Sequence, residues 1–549
     1  MRIQGTIILA GLLVMAAFAG SDMPPRLNEL GGYHRPVTTV SAEAQRWIDQ
    51  GLVYAFGFNH DAANGSFERA AALDPDCAFA WWGVALCLGP HINNPVMSQE
   101  QSRRAYEAIQ RATALAGRSS PVERDLIMAL AKRYAWPAPE DRKQLDESYA
   151  EAMRGLWRKY PQDADIGTLC AEAIMDLRPW DLWTPDGKPQ PGTVELVNLI
   201  ERVLQLQPRP PGALHLHIHA VEASPDPGRA KASADRLRDL VPEIGHLVHM
   251  PSHIDIRLGY YEKAMQANRK AIAADRKYVA QAGREGFLNL YRAHDYHFLA
   301  YAAMFAGNRA AALQAATDLK DDLLPAQVRQ NPDMLESFLS TMTHVRVRFG
   351  MWEELLKDPA PPEDFYVSKA IWRYGRAVAW SALGRIEDAK QERDAFIVAA
   401  AAIPETRMIG NNKAATIMEI ARPMMEGEFE YRRGNYDLAF AQLRLAVERD
   451  DALRYDEPWG WMQPIRHALG ALLLEQGRMA EAEAVYRKDL ELHPENGWAL
   501  HGLAECLRKS GKTDEMAEVE RRFRKSWQNA DIELRASCFC RRNAQAARY

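Results

Sequence analysis
Small and aromatic residues return in this chain at a fixed interval, and that interval decides what it can fold into. From Ser41 onward, Trp47, Gly51, Tyr54, Ala63, Phe67, Ala70 and Pro75 fall on positions 4, 8, 11, 20, 24, 27 and 32 of one unit, and Trp81 takes position 4 of the next. The unit is about 34 residues long, enough for two short helices with small side chains where they cross. The register returns near the other end, where Leu469, Gly470, Gly477, Ala482, Tyr486 and Pro494 take positions 7, 8, 15, 20, 24 and 32. Gly434, Ala439 and Ala446 mark an earlier unit, Ala377, Gly384 and Ala389 another, and Gly307 and Ala312 a central one. Leu503 and Gly511 open a last unit, followed by a basic stretch at 521–525 that suits a cap. Strand signals are nearly absent. A helical pair of this size cannot bury its apolar face alone, so the pattern predicts an all-α solenoid in which each repeat packs on its neighbours.

The rest of the chain divides around that array. Arg2 precedes an uncharged apolar run ending in Ala17-Phe18-Ala19, which reads as a signal peptide at 1–19 with a small-residue cleavage site. An irregular lead-in at 20–40 precedes N-terminal repeats at 41–177. Residues 178–193 hold four prolines and two tryptophans, so they interrupt the helices as an insertion. Central repeats follow at 194–350, C-terminal repeats at 365–527 and a tail at 528–549. No later run reaches the roughly 18 apolar residues of a membrane span. The expectation is therefore a periplasmic or secreted protein with no stable membrane insertion after cleavage. A net charge of -5, spread evenly, argues against nucleic acid as a partner. Six scattered cysteines do not make a disulfide framework, and Cys538-Phe539-Cys540 is a weak metal or disulfide candidate.

Against this background the segment 210–297 stands apart, because it holds eight of the fifteen histidines. His215, His219 and Glu222 share one helix face at i, i+4 and i+7, while His217 points elsewhere. His246, His249 and His253 share a second face, and His294 and His297 a third. With Pro208 at position 32, the next unit starts at Pro211, and all three stripes fall on first helices of successive units. A single groove histidine is best read as a satisfied polar residue or a peptide contact. Seven that converge leave donors and acceptors hard to satisfy without an ion. The expected metal ligands are His215, His219, Glu222, His246, His249, His253, His294 and His297. A first shell this rich in imidazole suits one or two transition ions, copper ahead of iron or zinc, and argues against magnesium and calcium.

The leading reading is a copper or iron oxidoreductase with a small molecule or peptide as substrate in the groove. Glu222 is placed as ligand or proton acceptor and Arg257 as a second catalytic candidate that fixes an acidic group. The alternatives are a zinc hydrolase with Glu222 as general base, a metal-binding module, or a scaffold for a protein partner. Glu172 and Asp176 are candidate carboxylates from a neighbouring helix, and Trp180, Asp181 and Trp183 are candidates for a lid. His60 with Asn59, and His91 with Asn93 and Asn94, read first as caps and turns. There is no Gly-rich phosphate loop, G-x-S-x-G elbow or H-E-x-x-H.

The repeat positions resemble those of the tetratricopeptide repeat family over roughly 41–527. More narrowly, His-Ile-His-Ala-Val-Glu at 217–222, Gly-His-Leu-Val-His-Met-Pro-Ser-His-Ile at 245–254 and Leu-Arg-Pro-Trp-Asp-Leu-Trp at 177–183 are similar to a group of exported bacterial proteins of that family. The resemblance implies the solenoid, a ligand groove lined by first helices, and export. It also implies protein binding. The chain departs from the family there, because the family's grooves are usually lined by Asn, Lys and Arg rather than His.

Overall fold
The structure, a computed structural model, describes residues 23–283 and 286–541, so the expected signal peptide at 1–19 lies outside the described residues. Helical hairpins follow one another from Ala42–Phe56 with His60–Leu73 to Gly497–Lys509 with Thr513–Ser526. The only named strands among the described residues are the two-residue pair Met408–Ile409 and Asn412–Lys413. The molecule is an all-α solenoid of helical hairpins.

The repeated glycines explain the stacking. Phe67 lies between Gly51 and Gly83, where a Cβ would sit 2.8 and 2.1 Å from its ring. Tyr486 lies between Gly470 and Gly502 in the same way, at 2.5 and 2.2 Å. In both repeats one glycine stands 16 residues before the aromatic and the other 16 after it. The second helix of each of these two hairpins therefore drives one ring against its own partner helix and against the next hairpin. That single contact joins neighbouring units. Gly384 and Gly477, at φ 76° and 71°, close the turns inside their hairpins, where a side chain would be strained.

Two irregular segments fold back onto the helices. Between Ala164–Met175 and Thr193–Leu206 the chain makes no helix; Trp183 Nε1 donates to Ala220 O at 2.8 Å, and Thr193 Oγ1 donates to Leu182 O at 2.7 Å. After Thr513–Ser526 the chain runs back over the C-terminal hairpins. Trp527 packs on Gly307 and Gly497, and the Asp531 carboxylate accepts from Arg309 N and Ala310 N, both at 2.7 Å. Ser537 Oγ donates to His467 O at 2.8 Å, Phe539 packs on Gly350 and Trp498, and Cys538 and Cys540 are disulfide-bonded.

The apolar core falls into two bodies, one running from Tyr33 to Tyr291 and the other from Ile256 to Cys540. The histidine-bearing helices lie where the two meet.

Candidate metal centre
Three helical segments supply the imidazoles. The first, Pro211–Val221, begins with proline at a position where its missing N–H costs nothing. The second is two short helices, Gly245–His249 and Pro251–Arg257. Pro251 has no N–H to continue the hydrogen-bond ladder. Met250, at φ -50° and ψ -37°, nevertheless keeps the path helical, so the i, i+3, i+7 face survives the break. The third is Leu288–Phe305. His215, His219, His246, His249 and His253 are all buried, with at most 4% exposed.

The hydrogen bonds fix which ring nitrogen carries the proton. His219 Nδ1 lies 2.7 Å from Glu222 Oε1, and His253 Nδ1 is in contact with Glu222 Oε2. His215 Nδ1 lies 2.6 Å from Phe56 O. His249 Nδ1 lies 2.7 Å from Asn268 Oδ1 and 3.1 Å from Asp295 Oδ1. The Asn268 amide is oriented by its own donation to Ala264 O at 2.8 Å. A backbone carbonyl, an amide oxygen and a carboxylate all accept, so each of these Nδ1 atoms bears the hydrogen. In a neutral imidazole the Nε2 is then a bare lone pair. An acceptor behind the ring with a free nitrogen in front is how proteins orient histidine toward a metal.

Burial favours the neutral form of His215, His246, His249, His253 and His294. It pushes His215, His246, His249 and His294 well below the ordinary histidine range, helped by neighbouring imidazoles. His253 is also lowered by burial, with Glu222 opposing. Burial acts to raise Glu222, but His253 and His219 outweigh it and hold the carboxyl below its usual range.

The free nitrogens gather into two triads. The ligand atoms of His249, His253 and His294 lie within 4.8 Å of one another, as do those of His215, His219 and His246. In the first triad His249 Nε2 is 2.7 Å from His253 Nε2 and 3.1 Å from His294 Nε2. In the second, His215 Nε2, His219 Nε2 and both nitrogens of His246 are buried with no hydrogen-bond partner among the described residues. A third group of suitable spacing, His219, Glu222 and His253, is already tied together by the hydrogen bonds above.

Aromatic rings wall the triads. Phe58 lies against His215, His219 and His246 with centroids 4.5 to 5.9 Å away, and Tyr291 stacks on His246 at 4.3 Å. Phe298 stacks on His253 at 5.2 Å. From the insertion, Trp180 meets His219 edge-on at 5.3 Å while its Nε1 donates to Asn93 Oδ1 at 3.1 Å. The void bounded by Trp180, His219, Glu222 and Tyr455 measures only about 20 Å³. A surface hollow of about 780 Å³ lies elsewhere, lined by residues between Asp125 and Leu156, and no histidine lines it.

Six of the expected ligands thus come together, and His297, Glu222 and Arg257 are placed differently from them. His297, one turn beyond His294, faces Met462 Sδ at 3.1 Å and the Phe338 ring, because the extra turn carries it toward the C-terminal hairpins. Glu222 stands behind the imidazoles rather than among them, since both its oxygens are used by ring N–H groups. Arg257 donates to Ser224 O at 3.2 Å and covers the Tyr455 ring, so it is engaged in packing loops. His217 does point elsewhere, toward Ser233 Oγ at 2.8 Å.

Among the secondary candidates, the Asp176 side chain is buried against Arg133, with 2.7 Å between Oδ2 and Nη2, rather than at the surface. Asp181 pairs with Arg178 at 3.0 Å. His91 stacks on Phe58 at 4.8 Å and extends the aromatic wall. Sequence reasoning missed Asn268, Asp295 and Phe58. An Asn facing inward from Tyr261–Ala282, and an Asp directly after His294, were the available signals.

A family model for the tetratricopeptide repeat matches residues 473–515, and that segment is such a repeat. No protein of curated function matches the chain in sequence. Among solved structures, a human IFIT1 dimer with m7Gppp-AAAA is similar at 11% identity, covering 89% of this chain and 91% of that one, with a TM-score of 0.33. Yeast Tom70 is similar at 12% identity over 88% and 91% of the two chains, with a TM-score of 0.28. The hetero-tetramer Cut9-Hcn1 of the APC/C is similar at 12% identity over 84% and 76%, with a TM-score of 0.31.

Proposed function
We propose that this chain is an exported metalloprotein, and that the centre at the junction of its two cores binds copper, ahead of iron or zinc, for redox chemistry. One observation carries the metal. His249 and His253 each spend Nδ1–H on an acceptor, which leaves two lone pairs facing each other 2.7 Å apart in a buried site. Facing lone pairs repel, and a cation between them turns repulsion into two bonds. With His294 beside them, three imidazoles would hold the ion, which is the protein ligand count of catalytic metal sites.

The donor set favours a transition ion, since imidazole without thiolate or free carboxylate suits copper, iron and zinc rather than hard cations. Hydrolysis on zinc would need Glu222 as a base, yet both its oxygens hold imidazole N–H groups. A peptide scaffold would need an open groove. The histidine face is instead closed by Trp180, and the C-terminal hairpins carry the chain's own tail. The void of about 20 Å³ matches a reactant no larger than water or dioxygen while the insertion is in place.

The test is to load the metal-free protein with copper or zinc and follow dioxygen consumption with an added reductant, beside ester and peptide hydrolysis. Oxidation by the copper form, lost in a His249→Ala, His253→Ala double variant, is expected. Hydrolysis by the zinc form with an inert copper form would overturn the redox reading.

A further inference from the structure
We infer that the centre holds two ions, the second on His215, His219 and His246. This rests on the metal reading above and extends it to a part of the cluster that reading does not use. Two of the three rings have a known tautomer. His215 gives its Nδ1 hydrogen to Phe56 O and His219 gives its own to Glu222, so both present a bare Nε2. Those two atoms and both nitrogens of His246 are buried without a partner among the described residues. A buried imidazole nitrogen with no partner carries the full cost of its lost hydration. Three in one place, within 4.8 Å of one another, are the donor set of one ion.

Packing speaks against a looser explanation. Phe58 and Tyr291 press on the rings of His215 and His246, at 4.5 and 4.3 Å between centroids. The void at His219 is about 20 Å³, close to a single water, and three imidazoles need more than one such partner. A metal ion satisfies all three at once.

The two triads are built as a pair. Their rings come within 5.8 Å between His219 and His253 and 6.0 Å between His246 and His249. Glu222 holds one histidine of each triad, one per carboxylate oxygen. It acts as a positioning residue, and its charge offsets part of the charge that two cations would bring into an apolar junction. Each triad also has an orienting oxygen of its own, Phe56 O for one and Asn268 Oδ1 for the other.

The experiment counts ions. Metal-free full-length protein is loaded with copper(II), freed of excess, and assayed by mass spectrometry and electron paramagnetic resonance, beside His246→Ala and His294→Ala. The expected result is two equivalents in the parent chain, with a weak resonance because neighbouring copper(II) ions couple. Each variant should retain one equivalent and show the full signal of an isolated ion. One equivalent in the parent chain, abolished by either variant, would overturn the two-ion assignment while leaving the metal reading standing. No copper in the parent chain would remove both. The parent count alone decides between two and one, so the test survives a variant that fails to fold.

Discussion
At the scale of single residues, the centre depends on which nitrogen of each ring is protonated. Glu222 sets this for two rings at once, which makes it the sharpest position to test. In Glu222→Gln the amide oxygen still accepts from one Nδ1–H, but the amide N–H₂ meets the other. That ring must then move its hydrogen to Nε2, where it blocks a metal. The account predicts that copper affinity falls roughly 10- to 100-fold, read by competition with a chelator, with the helical signal unchanged. Unchanged affinity would make Glu222 a bystander. Much of this layer could not be read from sequence. His215 is oriented by the carbonyl of Phe56, 159 residues away, and a backbone oxygen has no side-chain identity to recognise. Asn268 faces His249 only because the helix Tyr261–Ala282 packs beside Gly245–His249, a contact that periodicity does not specify. His297 shares its residue type and spacing with the six histidines that converge, and packing against Met462 is what separates it.

At the scale of elements, the spacing of small residues carried most of the information. Gly51 and Phe67 were visible as repeat positions, and the structure adds Gly83, because a ring pressed between two helices leaves no room for a Cβ on either. Gly83→Ala would place its Cβ 2.1 Å from Phe67 Cδ1, so the ring or the helix must move. Overpacking of this kind costs about 1–3 kcal/mol. The urea midpoint should fall accordingly, and an unchanged midpoint would show that the hairpins have slack the structure lacks. The same reasoning explains what stayed hidden in the second histidine segment. Pro251 alone reads as a helix break, yet Met250 keeps helical dihedrals and the three imidazoles stay on one face. The insertion was recognisable as irregular from its prolines. That Trp180 would lie edge-on to His219 follows from tertiary packing.

At the scale of the molecule, the tail and the histidine junction hold distant parts of the array together. Arg541 donates to Glu505 at 2.8 and 3.1 Å, tying the last described residue to the helix Gly497–Lys509. Burial would raise Glu505, but hydrogen bonds from Arg541 and Lys509 hold it at about 2. Its folded value lies below the ordinary 4.5, so its stabilisation is present above that pH and is lost as pH falls toward about 2. Glu505→Gln should therefore be less stable than the parent chain at neutral pH, and the two urea midpoints should converge over that interval. A gap that persists to the acid end would show that the pair contributes by shape rather than charge. The solenoid itself was legible because the same packing solution returns at Phe67 and Tyr486, near the two ends of the array. The tail was not, since its contacts with Gly350, His467 and Arg432 bridge units in no fixed register.

The central claim is that imidazole nitrogens in this junction bind a transition ion, and X-ray absorption on copper-loaded protein tests it most directly. The account predicts a first shell of nitrogen or oxygen at about 2.0 Å, with the outer-shell pattern of imidazole rings and no sulfur at about 2.3 Å. A sulfur shell, or a spectrum left unchanged in the His249→Ala, His253→Ala variant, would place the metal elsewhere and contradict the account.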